Sequence, residues 1–204
     1  MAVTEPKEPW AARVRKSFPT RIWVLIPFFI GINLLGKFFV TVLGLPLFLD
    51  AIGTVLGAFL GGPAVGVVVG LLTNLVIGLT IEATSIPFGL VNAAIGLVAG
   101  LLAGRGYLRG VAKIIVMMLA LTVTTIITAA PIVVLVFGGV QGSGADIVTG
   151  FFVAAGNEIA GSVIGQQLIV QPVDKIATVL VALALARAVP ARYRPQFGRE
   201  ALPA

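Results

Sequence analysis

Two long apolar windows, residues 22–43 and 113–137, constrain this chain more than any motif in it. Each meets the roughly 20-residue length needed to cross about 30 Å of hydrocarbon, where every backbone N–H and C=O must find its partner within the segment. The rest of the chain has the same character. Of 204 residues, 58% are hydrophobic and 11% charged, with a mean hydropathy of +1.10, far from the average soluble domain. A transmembrane β-barrel would alternate apolar and polar positions over segments of about ten residues, whereas these runs are apolar on all sides. The sequence predicts an all-α integral membrane protein of the cell membrane.

Glycine, proline and charge divide the apolar runs into six predicted crossings, at 22–43, 47–61, 64–81, 87–104, 113–137 and 172–189. Lys and Arg collect on the cytoplasmic side of membrane proteins. The N-terminus (Lys7, Arg13, Arg15, Lys16, Arg21), the loop after the fourth crossing (Arg105, Arg109, Lys113) and the C-terminus (Arg187, Arg192, Arg194, Arg199) therefore all belong inside. An even number of crossings satisfies this, with both termini cytoplasmic. Residues 146–171 are long enough to span, but a seventh crossing would place the basic C-terminus outside. They are expected to form a re-entrant or surface helical segment on the outer side before the last helix. The predicted organisation is a basic cytoplasmic segment at 1–21, one six-helix membrane domain at 22–190 and a basic cytoplasmic tail at 191–204. The first twenty residues lack an apolar core and a small-residue cleavage site, so the first helix reads as retained.

Several chemistries are excluded by composition. The chain has no cysteine and no histidine, which removes thiol chemistry, Cys-based metal sites, imidazole acid–base catalysis and the commonest metal ligand. No metal site, no bound cofactor and no catalytic residue is predicted. The net charge of +6 is spread over separate loops and tails, a pattern suited to topology and anionic lipid rather than to nucleic acid. The stretch GINLLGKF, residues 31–38, matches a phosphate-binding loop up to its last position. A true phosphate loop follows a strand and ends in a Ser/Thr hydroxyl for magnesium; here Phe38 stands in that place, inside an apolar helix.

Polar residues at membrane depth cost about 2.5–3.5 kcal/mol for a central charge and point to function by default. Asn33, Lys37, Asp50, Asn74, Glu82, Asn92, Asn157, Glu158, Gln166 and Gln167 are such residues, and all of them except Glu82 and Gln167 are the candidates for a ligand site. Most fall in the outer half of their helices and predict a polar cavity open to the exterior. Snorkelling or an ion pair with Asp50 or Glu158 is the structural alternative for Lys37, and an interhelical hydrogen bond for Asn74. Glycines recur every four residues, at 53, 57, 61, at 62, 66, 70 and at 96, 100, 104, which keeps each set on one face and lets backbones approach.

The stretch LPLFLDAIGTVLGAFLGGPAVGVVVGLLTNLVIGL, residues 45–79, resembles the substrate-binding S components of energy-coupling-factor (ECF) transporters, with a Leu-Pro-x-Phe-Leu-Asp loop, a small-residue-rich second helix, a Gly-Pro turn and Thr-Asn in helix three. FGGVQGSGAD (137–146) and QPVDKIATVLVALALARAVP (171–190) resemble the outer loop and last helix of the same group, so the likeness covers about residues 25–190. The resemblance implies a six-helix fold that captures a vitamin or similar micronutrient at the outer face. It also implies a transmembrane coupling protein and two cytoplasmic ATPases that use ATP on this chain's behalf. Carried over, Gly53, Gly57, Gly61, Gly66 and Gly70 would form the face that slides on the coupling protein. Where the family often has Ala-x-x-x-Ala in helix one, this chain has Gly31 and Gly36, a five-residue spacing. One lysine among amides would suit an anionic or amphoteric vitamin, a purine-like base or a cobalamin. A membrane sensor and a stand-alone channel or carrier are the alternative classes.

Overall fold

The computed structural model describes residues 20–203, so most of the predicted N-terminal segment 1–21 lies outside the described residues. Eight α-helices follow in order among the described residues: α1 Thr20–Leu43, α2 Ile52–Gly61, α3 Pro63–Thr80, α4 Gly89–Gly104, α5 Val111–Leu135, α6 Asp146–Ala154, α7 Ile159–Ala188 and α8 Gln196–Ala201, with 3-10 turns at Ala83–Ser85 and Ala191–Tyr193. No strand occurs among the described residues.

Four helices, α1, α3, α5 and α7, are long and apolar enough to cross a membrane. Their outer faces carry large apolar side chains such as Phe38, Leu79 and Leu135, at 59%, 72% and 82% exposure, while Asn33, Gln166, Gln167, Gln171, Asp174 and Lys175 are buried. Water would penalise both halves of that arrangement; hydrocarbon favours it, because apolar surface needs no covering there and polar groups do. Helices also stand at the two shorter predicted positions. At about 1.5 Å per residue, α2 is about 15 Å long and α4 about 24 Å, each less than a hydrocarbon core of about 30 Å.

All ten residues of α2 are buried, because α1, α3, α4, α7 and α8 surround it. The glycine rows make this possible. A Cβ on Gly53 would strike the Phe29 carbonyl of α1, one on Gly66 would lie 2.7 Å from the Gly96 carbonyl of α4, and one on Gly70 would lie 2.6 Å from the Asn92 backbone. Gly57 packs against the Phe29 ring and Val69, and Gly61 against Val65 and Ile22. The five glycines expected to face a coupling protein are therefore buried between helices of their own chain. Close backbone contact is the strongest attraction available between helices in lipid, and the fold uses these rows for it.

Backbone contact of this kind gives a test. An unobstructed Gly→Ala change inside a helix gains about 1 kcal/mol of helix propensity, and Gly150 of α6, which has open space around it, should show such a gain. Gly96→Ala should instead lose about 1–3 kcal/mol through overpacking against the Gly66 backbone. Thermal unfolding of the two variants in the same detergent separates the effects.

One expectation is corrected. Residues 159–171 do not form a separate re-entrant or surface segment: they are the first half of α7, a 30-residue helix with Pro172 inside it. That proline marked a helix start in the sequence, but a membrane helix tolerates the one missing N–H because neighbouring groups re-satisfy the freed carbonyl. Only Asp146–Ala154 stands apart as a short helix.

The described part of 191–204 folds back on the bundle. The Phe197 ring lies under Gly62 and Gly104, Gly198 packs on Leu60, and Ala201 and Leu202 are buried. Arg194 is buried too, its guanidinium donating to the carbonyl oxygens of Val189, Pro203 and Arg187. Basic side chains on the last carbonyls of a helix satisfy acceptors that the helix itself leaves open. Arg109 ties the loop after α4 to this cap through the Glu200 carbonyl at 2.6 Å.

Candidate ligand cavity

At the end of the bundle away from this cap, where α2 begins and α3 ends, the side chains leave a pocket with about 610 Å³ of empty space, its open mouth included. The loop 44–51 forms one side. It is held by Asp174 of α7, whose Oδ1 accepts from the backbone N–H groups of Phe48 at 3.0 Å and Leu49 at 2.9 Å. Leu49 has φ +48, a left-handed conformation that a branched residue keeps only when its surroundings impose it. Gly36 of α1 makes room, since a Cβ there would strike the Leu49 carbonyl. This anchoring presents Phe48 and Asp50 to the pocket.

A second side is built on amides. Asn92 of α4 donates from Nδ2 to Asn74 Oδ1 at 2.9 Å and to the Asp50 carbonyl at 3.2 Å. Asn74 in turn donates to the Ser85 carbonyl at 3.1 Å. Both Asn92 N–H groups are engaged, so its Oδ1 is left buried without a partner. Lys37 of α1 pairs with Glu82 at 2.7 Å, and Glu82 also accepts from the Ser85 hydroxyl at 2.8 Å.

The third side is α7. Gln167, Gln171 and Lys175, four residues apart, line the pocket from one face of the helix. Lys175 is fully buried and pairs with Asp174 at 2.6 Å, so both oxygens of Asp174 are engaged. The carbonyl oxygens of Gln167 and Gln171 have no partner. Above lies the loop 138–146, fixed by Asp146, whose carboxylate accepts from the N–H groups of Gln141, Gly142 and Ser143 at 3.2, 2.7 and 3.0 Å. The buried Ser143 hydroxyl lacks a partner. Phe88, stacked on Phe137 with ring centres 5.6 Å apart and planes 8° apart, gives the pocket a flat apolar wall.

Lys37, Asp50, Asn74 and Asn92 thus meet in one place, and the other predicted site residues do not. Asn33 lies deeper and is fully engaged. Its Nδ2 donates to the hydroxyls of Thr54 and Thr73 at 2.9 Å each, and its Oδ1 accepts from the N–H groups of Gly53 and Thr54. Those N–H groups belong to the first turn of α2, which has no partner for them within the helix, so Asn33 is a cap supplied by a neighbouring helix. Asn157 and Glu158 are exposed in the break between α6 and α7, where Asn157 donates to the Phe152 carbonyl. Gln166 is buried with both amide atoms unpartnered but does not line the pocket.

Glu82, Gln141, Ser143, Gln167, Gln171 and Lys175 line it as well, though none of them was named as a candidate ligand residue. The spacing of Gln167, Gln171 and Lys175 is a visible helical stripe, hidden by placing a boundary at Pro172. Among the described residues no group of three Asp or Glu side chains is arranged to hold a metal ion. The chemistry on offer is hydrogen bonding and charge recognition around a flat wall. Compared with protein-family models, curated proteins and solved structures, the chain matches none.

Proposed function

We propose that this chain is the substrate-capturing membrane subunit of an ECF-type importer. In this reading it crosses the cell membrane six times with both termini cytoplasmic, takes a vitamin-like micronutrient at the outer face, and depends on a coupling protein and two ATPases for delivery. The observation that carries the proposal is the ring of buried, unpartnered oxygens on Asn92, Ser143, Gln167 and Gln171 around one pocket. A buried polar atom without a partner costs about 1–3 kcal/mol, and a ligand that pairs with it recovers that energy. The internal role of Gly53, Gly57, Gly61, Gly66 and Gly70 means that a coupling protein would meet other residues on the outer faces of the helices.

Gently purified protein should retain a small molecule in native mass spectrometry. Proteoliposomes should accumulate that molecule only when the partner subunits and ATP are present. Accumulation by the isolated chain without ATP would favour an autonomous carrier, and binding with no uptake under any condition would favour a sensor.

A site kept for a ligand also predicts opposite effects on stability and binding. Gln171→Met replaces an unpartnered amide by an apolar side chain of similar length, and should raise the stability of the ligand-free protein by about 1 kcal/mol. The same variant should bind the retained molecule at least tenfold more weakly. Thermal unfolding with and without ligand reads both effects.

A further inference from the structure

Charge counting around the pocket defines what it recognises, given the reading that it is a ligand site. Two ammonium groups lie there, and each is paired with a carboxylate, Lys37 with Glu82 and Lys175 with Asp174. Asp50 is the third carboxylate, and among the described residues it makes no ion pair within 4 Å. The pocket therefore holds one carboxyl group more than it has lysines to pair with. Its free hydrogen-bonding positions point the same way. Asn92 cannot turn its N–H groups toward a ligand, because both are engaged with Asn74 and with the Asp50 carbonyl, so it offers Oδ1 alone. The hydrogen bond from Asn92 to the Asp50 backbone carbonyl ties these two residues together, and both line the pocket. Gln167 and Gln171 add further carbonyl oxygens on the α7 side.

We infer that the pocket takes a small flat nitrogenous cation, an amidine or a protonated amino-heterocycle, whose N–H groups bond to Asp50 and Asn92 while its ring lies against Phe88. Hydrogen-bond acceptors alone suit neutral and cationic donors alike, whereas only a cation pairs with the Asp50 carboxylate; charge is therefore the property that separates a cation from other occupants. The stacked Phe88–Phe137 pair favours a flat cation further, since an aromatic face attracts positive charge. The two lysines, which in isolation would favour an anion, are already neutralised.

Three nearly identical probes test this on the wild-type protein by calorimetric titration in detergent: benzamidine (cation), benzamide (neutral) and benzoate (anion). Benzamidine should bind at least tenfold more tightly than benzamide, and benzoate more weakly than either. Asp50→Asn should bring benzamidine down to the affinity of benzamide, while Asp50→Glu keeps the preference. Benzoate equal to or tighter than benzamidine overturns the inference but leaves ligand capture standing, as does a cation preference that survives in a monodisperse Asp50→Asn protein. The order of the three probes on the wild type decides the matter even where the variant does not fold. Should no probe bind, the molecule retained in native mass spectrometry decides: a cation supports the inference, a neutral molecule or an anion overturns it, and no retained molecule at all rejects capture and inference together.

Discussion

Asn33→Leu is expected to lower the unfolding free energy by about 3–5 kcal/mol, measured by reversible denaturation in detergent micelles, given about 1–3 kcal/mol for each buried group left without a partner. Leucine has the same number of side-chain heavy atoms and the same branching as asparagine, so the loss does not come from a cavity. Four contacts disappear together: those to the hydroxyls of Thr54 and Thr73 and those from the N–H groups of Gly53 and Thr54. The hydroxyls have a remedy, because a threonine in a helix can donate to the carbonyl four residues back. The N–H groups at the start of α2 have none: no water reaches this depth, since Asn33 is fully buried, and the helix has no earlier carbonyl to offer. Adding Thr54→Val and Thr73→Val to Asn33→Leu should therefore recover only about 1–2 kcal/mol, the share belonging to the hydroxyls. Full recovery would mean that the backbone groups of α2 find partners elsewhere.

Asp174→Asn should cost a similar amount, about 3–5 kcal/mol, because removing one partner of a buried ion pair leaves the other charge uncompensated. Lys175 would be that charge, buried at 2% side-chain exposure. The double variant Asp174→Asn, Lys175→Met should regain most of the stability, since apolar replacement of a whole buried pair is often neutral. Ligand binding should not return with it. Asp174 also anchors Phe48 and Leu49, and an asparagine oxygen accepts those N–H groups without the strength of a charged acceptor, so the loop carrying Asp50 loses its fixed position. Recovery of stability with persistent loss of binding is the expected pair of results. Binding restored along with stability would show that the loop is held by its other contacts.

Periodicity and length make the helices of this protein legible in its sequence, and they also mislead at one point. The apolar windows place α1, α3 and α5 to within a few residues, because in lipid the length of a helix and its apolar composition are set by the same requirement. Pro172 misleads because a proline usually stops a helix in water, where a partial unfolding is cheap, whereas in α7 the helix continues through it. That one boundary hides the Gln167, Gln171, Lys175 row and places Asn157 and Glu158 in a supposed re-entrant or surface segment. Burial of polar residues is legible; their partners are not. Asn33 and Asn92 are the same residue type and both are buried, yet Asn33 has every hydrogen-bonding position filled and Asn92 keeps an oxygen open. The difference is created by Thr54, Thr73 and the start of α2 on one side and by an empty pocket on the other, none of which adjacency in sequence reveals. The glycine rows likewise announce close contact but not with whom.

The folded C-terminal segment has a bearing on directionality. Between the pocket and Phe197 stands α2, buried at every residue, and the far end is closed by α8 packed beneath Leu60 and Gly62. Among the described residues, the pocket is therefore backed by the chain's own helices on that side. In the proposed importer, a cargo taken beside Asp50 finds α2 and α8 in its way, so its passage across a bilayer requires that the opening itself change sides or that this packing be taken apart. A labelled site at Ser143, reached by membrane-impermeant reagents from one face at rest and from the opposite face during turnover, would report the first of these directly.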